Sequence, residues 1–189
     1  MDITKLSEPL PIDQIDFRIQ SVNKVGYATI LAYKNARVDM QRLDDVFGVL
    51  GWKREHSRDN RNCTILVWDN DRKHWVGKED TGTESNAEAE KGLASDSFKR
   101  SGFNFGIGRD LYDYPDIIVK LNDNEWEIYP YFDKRKNKEI QKARTTWNLK
   151  LKEWLWYSEF TDKKITFLAA RDFDKVRFTW GKRKQESKK

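Results

Sequence analysis

The chain has 189 residues, only one cysteine (Cys63) and two histidines. A single cysteine cannot form an internal disulfide or a cysteine-rich zinc site. No apolar run approaches the roughly 20 residues of a membrane-spanning helix, and residues 1–11 lack the apolar stretch of a secretory signal. We therefore expect a cytoplasmic protein with no membrane association, in one domain with an appended segment.

Motifs for nucleotide binding and nucleophilic catalysis are also missing. The Gly106-Ile107-Gly108 segment lacks the third glycine and the preceding strand of a dinucleotide fingerprint, and no Walker A loop exists. No Gly-x-Ser-x-Gly motif occurs, and His56 and His74 are too far apart to suggest a metal cluster. The sequence predicts no cofactor, no metal site and no covalent catalysis.

One acidic group leaves an alternative open. Glu79, Asp80, Glu84 and Glu88 lie close together in the sequence and could hold Mg²⁺ for a nuclease. A solvated turn followed by a helix N-terminus, where carboxylates are favoured in any case, also explains them and is the preferred interpretation.

Charge is distributed unevenly along the chain. The net charge is +5, but residues 1–133 hold 18 basic and 24 acidic side chains, whereas residues 134–189 hold 18 basic and 7 acidic ones. Such asymmetry points to a polyanionic partner, nucleic acid before an anionic membrane. A basic tail that only aids solubility is the alternative.

Aromatic residues strengthen the nucleic-acid interpretation. The chain has 8 Trp, 7 Tyr and 10 Phe. Aromatic rings beside cations suit single strands because every base offers a face for stacking, although burial in a core is the commoner fate of any one ring. The rings interleaved with Lys and Arg are Tyr129, Tyr131, Phe132, Trp147, Trp154, Trp156 and Tyr157.

Periodicity predicts an α+β fold. Residues 26–33 have strand character, and apolar residues at three- and four-residue steps predict a helix from Ala36 that Gly48 stops. Three alternating runs (52–57, 62–68 and 74–79) predict an antiparallel meander, and a long helix is expected over 87–103. Further on, the sequence predicts a strand over 125–132, an amphipathic basic helix over 138–157 and a β-hairpin formed by 165–171 and 175–180.

Two stretches carry a resemblance to a known family. Residues 36–52 read ARVDMQRLDDVFGVLGW, and residues 75–115 read WVGKEDTGTESNAEAEKGLASDSFKRSGFNFGIGRDLYDYP. In this order and with a three-strand interval, they resemble the single-strand annealing proteins of the Rad-fifty-two superfamily, above all the phage Sak-type members and the bacterial DdrA-like ones. The resemblance covers about residues 26–115.

The resemblance implies a β-β-β-α annealing core, an antiparallel meander packed on a long helix. Together with the composition it divides the chain into an N-terminal leader (1–25), the core (26–120), a C-terminal extension of basic helix plus β-hairpin (121–180) and a disordered tail (181–189). It implies an ATP-independent, non-enzymatic protein of recombination and repair that binds single-stranded DNA as a homo-oligomeric ring or filament. A phage exonuclease or a host single-strand binding protein would be further partners.

The resemblance also assigns DNA-binding residues at matching positions. Arg37 matches a basic residue at the start of the first helix, and Lys99 and Arg100 match a basic pair on the long helix. Arg109 matches the arginine of the glycine loop, whose role could be structural instead. Lys78 and Lys91 lie in the matched segments around the meander and the helix. The alternative function is an end-protecting scaffold that binds single strands without annealing them.

Overall fold

A computed structural model describes residues 2–83 and 89–183, of which 89–91 are described by their backbone only. It is mixed α+β, with mostly antiparallel strands and two α-helices among the described residues. The chain divides into two compact units. The meander–helix unit comprises Met1–Ile15 and Lys34–Tyr112, and the strand-rich unit comprises Asp16–Tyr33 and Asp113–Lys189.

The predicted meander is confirmed in the meander–helix unit. Strands β3 (Trp52–His56), β4 (Asn62–Asp69) and β5 (His74–Thr81) pair antiparallel in that order. Cys63, Ile65 and Val67 of β4 are buried on the face that packs against a helix. The alternation of β4 sets this register, because a shift by one residue would turn these side chains outward. Strands β1 (Asp16–Val22) and β2 (Tyr27–Tyr33), from earlier in the chain, belong to the other unit.

Helix α1 (Ala36–Phe47) begins and ends where the sequence predicts. The Asn35 side chain accepts a hydrogen bond from the Arg37 backbone N–H, which caps the helix N-terminus. Gly48 closes the helix with a φ of 75°, a conformation that side chains with a Cβ rarely adopt. The bounds therefore follow from local capping chemistry.

Helix α2 (Ala89–Phe105) lies across the meander and contacts both β4 and β5. Its Phe98 is fully buried, and the Ser101 hydroxyl donates to the Lys78 carbonyl and accepts from the Ile65 backbone N–H. Together with α1 it encloses a core of buried side chains, which are Leu6, Leu43, Cys63, Ile65, Val67, Phe98 and Ile107. Burial raises the pKa of the Cys63 thiol to about 11.

The strand-rich unit contains two three-stranded sheets and a two-stranded ribbon. Strands β1 (Asp16–Val22), β2 (Tyr27–Tyr33) and β6 (Ile117–Lys120) form one antiparallel sheet. Strands β9 (Leu155–Thr161), β10 (Lys164–Asp172) and β11 (Lys175–Gly181) form the other. The latter confirms the predicted β10–β11 hairpin, whereas β1 and β6 were not predicted.

Between these sheets in sequence, β7 (Trp126–Asp133) and β8 (Lys138–Thr145) pair antiparallel as the ribbon. The strand over 125–132 is therefore confirmed. The predicted helix over 138–157 is wrong, because this segment forms β8, a short 3₁₀ turn (Leu151–Glu153) and the start of β9. Within this segment, β8 pairs residue by residue with β7, and this pairing brings Lys142 over the Tyr131 ring and Arg144 against Glu127.

The N-terminal leader contains regular structure, since two 3₁₀ turns (Ile3–Ser7 and Ile12–Gln14) precede β1. Of the tail predicted to be disordered (181–189), Gly181 ends β11 and Arg183 pairs with Glu159. Residues 184–189 lie outside the described residues, as does the predicted helix start at 87–88. In the part of the chain that the structure describes, neither helix has the length and apolar character needed to cross a membrane.

Candidate nucleic-acid interface

Two of the predicted DNA-binding cations converge on the end of α2. The Lys78 ammonium, on β5, donates to the Asn104 backbone carbonyl at 2.7 Å, and the Arg109 guanidinium donates to the same oxygen at 3.1 Å. Arg109 also donates to the Phe103 carbonyl at 2.7 Å. These carbonyls lack partners within the helix, so both cations cap its C-terminus. Both side chains remain exposed.

Arg100 belongs to the same cluster. Its guanidinium lies 3.2 Å from the Asp80 carboxylate, which also accepts a hydrogen bond from the Asn104 side chain. The Arg100 side chain is 42 % exposed, and an exposed pair of this kind contributes little to stability. The structure therefore brings together three of the predicted cations, Lys78, Arg100 and Arg109, with one carboxylate. We call these four residues the α2-end cluster.

The other predicted cations lie elsewhere. Arg37 is exposed in the first turn of α1, and none of the described contacts joins its side chain to the α2-end cluster. Lys99 is half-buried on α2, near enough to Lys34 and Asp39 for its charge to favour the deprotonated form of each. The Lys91 side chain lies outside the described residues.

A buried ion pair, Lys34–Asp39, was missed by the sequence analysis. Both side chains are almost completely buried and bonded to each other, and the Lys34 ammonium also donates to the Ile107 carbonyl at 3.0 Å. Burial raises the pKa of Asp39, although the Lys34 charge opposes this shift. Burial likewise lowers the pKa of Lys34.

Glycines of the family-like motifs make room for this pair. A Cβ at Gly102 would overlap the Asp39 carboxylate, and one at Gly108 would lie 2.8 Å from the Lys34 side chain. Gly108 also has a φ of 75°. Gly102 therefore allows α2 to pack closely against the buried pair. Lys34 and Asp39 are close in the sequence, but the glycines that enclose them lie more than 60 residues further along the chain, so no local pattern indicates that the pair is buried.

Two of the acidic residues considered for Mg²⁺, Glu79 and Asp80, lie on opposite faces of β5. Glu79 accepts hydrogen bonds from Asn62 and Thr64 on one face of β5, whereas Asp80 bonds Arg100 on the other. Neighbouring residues of a strand point to opposite faces, so these two carboxylates do not share a site. Glu84 and Glu88 lie outside the described residues. Elsewhere in residues 2–83 and 89–183, no group of three or more His, Cys, Asp or Glu could hold a metal ion.

The ribbon carries a second set of cations and rings on one face. Lys142 lies 3.4 Å from the centre of the Tyr131 ring, and Arg144 lies 4.8 Å from that of Tyr129. Arg144 also bonds Glu127 at 2.7 Å. The alternation of β7 and β8 places these side chains together. We call this surface the ribbon face, formed by Glu127, Tyr129, Tyr131, Asp133, Lys138, Ile140, Lys142 and Arg144.

At the base of the ribbon face lies a cavity of about 400 Å³ lined by Arg144 and Trp147, among others. Trp147 is 79 % exposed, with Lys150 5.3 Å from its ring. Another cavity, of about 320 Å³, lies on the outer face of the β9–β11 sheet, where Tyr157 and Phe167 meet edge to face. Arg183 lies over Tyr157 there but is also paired with Glu159. The aromatic–cation pairing expected from the sequence is thus present at several places in the strand-rich unit.

Not every ring in that sequence pattern is available to a ligand. Trp154 is buried, with Arg177 over it, and Trp156 stacks on Phe17 at 3.6 Å between ring centres. Arg177 in turn bonds both carboxylate oxygens of Glu125. These rings and cations belong to the interior of the unit.

The chain matches no protein-family model. A search of curated proteins likewise found no match.

Proposed function

We propose that this protein binds single-stranded DNA and anneals complementary strands without ATP, as a homo-oligomer acting in recombination and repair. The observation that carries the proposal is the α2-end cluster, where Lys78 and Arg109 converge on one carbonyl oxygen with no carboxylate paired to either among the described residues. Like charges held close together create a local positive potential that attracts phosphate.

The hydrogen bonds within the cluster do not exhaust its binding capacity. An ammonium and a guanidinium each have further N–H donors beyond those used on the helix carbonyls. Since both side chains are exposed and already fixed in position, contact with a phosphate would cost little additional ordering. Phosphate contacts hold a strand by its backbone and leave the base edges free, which annealing requires.

The meander offers edges through which copies of the chain could join. β3 and β5 each pair only with β4 among the described residues, so each has one free edge. A free edge presents unpaired N–H and C=O groups to another strand. This supports, as part of the proposal, a ring or filament that repeats a weak DNA site many times. The cytoplasmic location, in a bacterial host if the protein is phage-encoded, remains an expectation from the sequence and the resemblance, as do the exonuclease and single-strand binding partners.

The test compares the parent with the double variant Lys78→Gln, Arg109→Gln, because glutamine keeps a donor for the helix carbonyls while removing the charge. Binding to a labelled single strand is measured by fluorescence anisotropy over a range of salt concentrations. We expect about tenfold weaker binding at low salt and a slope of log affinity against log salt shallower by about 1.4. The matched control, Lys53→Gln with Arg72→Gln, removes the same charge from other exposed positions of the same unit.

Annealing is followed in the same samples with complementary strands labelled as a donor–acceptor pair, without ATP. The parent should speed duplex formation. A parent that ignores single strands at low ionic strength contradicts the proposal as a whole. A parent that binds them without accelerating duplex formation overturns the annealing part and favours the end-protecting scaffold.

A further inference from the structure

The ribbon has features of a nucleic-acid-binding arm that lie outside every motif of the resemblance. It is a two-stranded sheet whose outer edges are both unpaired among the described residues. Residues 126–145 contain three acidic side chains and six basic ones, which are Lys134, Arg135, Lys136, Lys138, Lys142 and Arg144. A surface with this excess of positive charge is complementary to a polyanion.

The ribbon tip carries four exposed cations. Lys134, Arg135, Lys136 and Lys138 are all exposed, and none of them forms an ion pair within residues 2–83 and 89–183. The nearby Asp133 carboxylate instead accepts the backbone N–H groups of Arg135 and Lys136, which shapes the turn. The tip therefore presents four positive charges that have no carboxylate partner in the described part of the chain.

Rings continue the surface from the tip to the base. Tyr131, on the ribbon face, is 40 % exposed beside the tip, and Trp147 is 79 % exposed at the base next to the 400 Å³ cavity, whereas the exposed Phe132 points to the opposite face of the ribbon. A large ring this exposed contributes little to a core and offers a face on which an unstacked base can lie. Along β8 the ribbon face is roughly 25 Å long at about 3.3 Å per residue.

We propose that the ribbon is a single-strand-binding arm, in which the tip cations and Lys142 contact phosphates and Trp147 stacks on a base. The proposal rests on the proposed function for its ligand, but it assigns a site in the strand-rich unit, apart from the α2-end cluster. A single strand is favoured over a duplex because a duplex keeps its base faces stacked and out of reach of Trp147.

Two variants of the full chain test the arm. Trp147→Ala removes the stacking ring, and the triple variant Lys134→Ala, Arg135→Ala, Lys136→Ala removes tip charge. Both alter exposed side chains, so we expect unchanged circular dichroism and melting temperature. Their matched controls lie in the same unit: Phe173→Ala, whose ring is 80 % exposed, and the triple variant Lys24→Ala, Lys152→Ala, Lys164→Ala, which removes three exposed charges.

Binding is measured by anisotropy with a labelled single strand and with a duplex of the same length. Trp147→Ala should bind the single strand about tenfold more weakly and the duplex as the parent does, a loss of the size that one base–aromatic stack supplies. The tip variant should lower the slope of log affinity against log salt by about 2 for the single strand. The controls should leave both properties close to those of the parent.

The outcomes separate the arm from the proposed function. Normal single-strand binding by both arm variants, with weak binding by Lys78→Gln, Arg109→Gln, overturns the arm and leaves the proposed function standing. Equal loss of duplex and single-strand binding in the tip variant, with no effect of Trp147→Ala, also overturns it, because the ribbon would then recognise a duplex. Failure of the parent to bind any single strand removes the proposed function itself.

Discussion

The cations of the α2-end cluster and those of the ribbon are used in different ways. Lys78 and Arg109 donate to carbonyls that close a helix, and Arg100 is paired with Asp80. On the ribbon, Lys142 lies over a tyrosine ring and the four tip cations have no ion pair among the described residues. Folding therefore uses part of the hydrogen-bonding capacity of the first set and little of that of the second.

This difference shows what a motif match can report. The motif residues around α2 maintain a helix end and a buried ion pair, so their pattern indicates a fold at least as directly as it indicates a ligand. The ribbon matches no motif, yet its cations are the more available ones. A cation outside a familiar pattern can thus be the better candidate for a binding surface.

The largest expected effect tests how much the motif residues contribute to the stability of the fold, and the variant removes the Asp39 carboxylate. Asp39→Ala leaves the Lys34 ammonium buried without its carboxylate, and we expect the meander–helix unit to lose about 3–5 kcal/mol of unfolding free energy. Urea denaturation measures the loss. The control Asp45→Ala removes an exposed carboxylate of the same helix that bonds only Gln41 among the described side chains. Equal losses in the two variants would mean that the buried pair does not hold the unit together.

The strand-rich unit has its own buried ion pair, formed by Glu125 and Arg177. The contribution of this pair to stability should depend on pH. Burial opposes the charge of Glu125, but hydrogen bonds from Arg177 and from the Asn122 backbone outweigh it and hold the pKa of Glu125 below its ordinary value of 4.5. A lowered pKa in the folded state stabilises the fold above that value, and the contribution disappears as pH falls through the folded pKa.

Glu125→Gln should therefore cost about 2 kcal/mol of unfolding free energy at neutral pH, since a charged hydrogen-bonded partner of Arg177 is lost. The difference from the parent should shrink as pH falls below about 4.5. Denaturation curves over a pH series measure this. Glu127→Gln, an exposed partner of Arg144 on the ribbon, is the matched control. A difference that stays constant from neutral to acidic pH would contradict the role assigned to the Glu125 charge.

The basic pair on α2 tests the binding half of the comparison. Lys99→Ala with Arg100→Ala should weaken single-strand binding about tenfold at low salt, or roughly 1.4 kcal/mol, while leaving the oligomer intact. Anisotropy and light scattering report the two properties. Parent-like binding and annealing by this double variant would exclude the pair from the DNA interface, leaving Arg100 as a partner of Asp80 alone.

The smallest expected effects compare the stability contributions of an arginine that caps a helix and an exposed arginine of the ribbon tip. Arg109→Ala removes hydrogen bonds to two helix carbonyls and should cost about 1 kcal/mol of stability. Arg135→Ala at the ribbon tip removes an exposed arginine with no ion pair in the described part of the chain, and its effect should stay below about 0.5 kcal/mol. Thermal melting of both variants makes the comparison. If Arg135→Ala proved the more damaging, the division between structural and free cations would fail.

Sequence reasoning succeeded where local chemistry decides the structure. Helix α1 lies between Asn35 and Gly48, which cap it, and β4 shows the alternation that a half-buried strand requires. It failed over 138–157, because apolar residues there fall at helix-like steps while their partners on β7 favour a strand. The six predicted cations were chosen without knowledge of their contacts, and only three-dimensional packing could place three of them together and reveal Lys34 and Asp39.

Cys63 has a practical consequence. It is the chain's one cysteine, fully buried, with a thiol whose pKa is raised to about 11, so little reactive thiolate forms at neutral pH. A cysteine introduced at the exposed Asn137 would therefore react with a maleimide dye in preference to the native thiol. A fluorophore could be attached to the hairpin turn without first making a cysteine-free background.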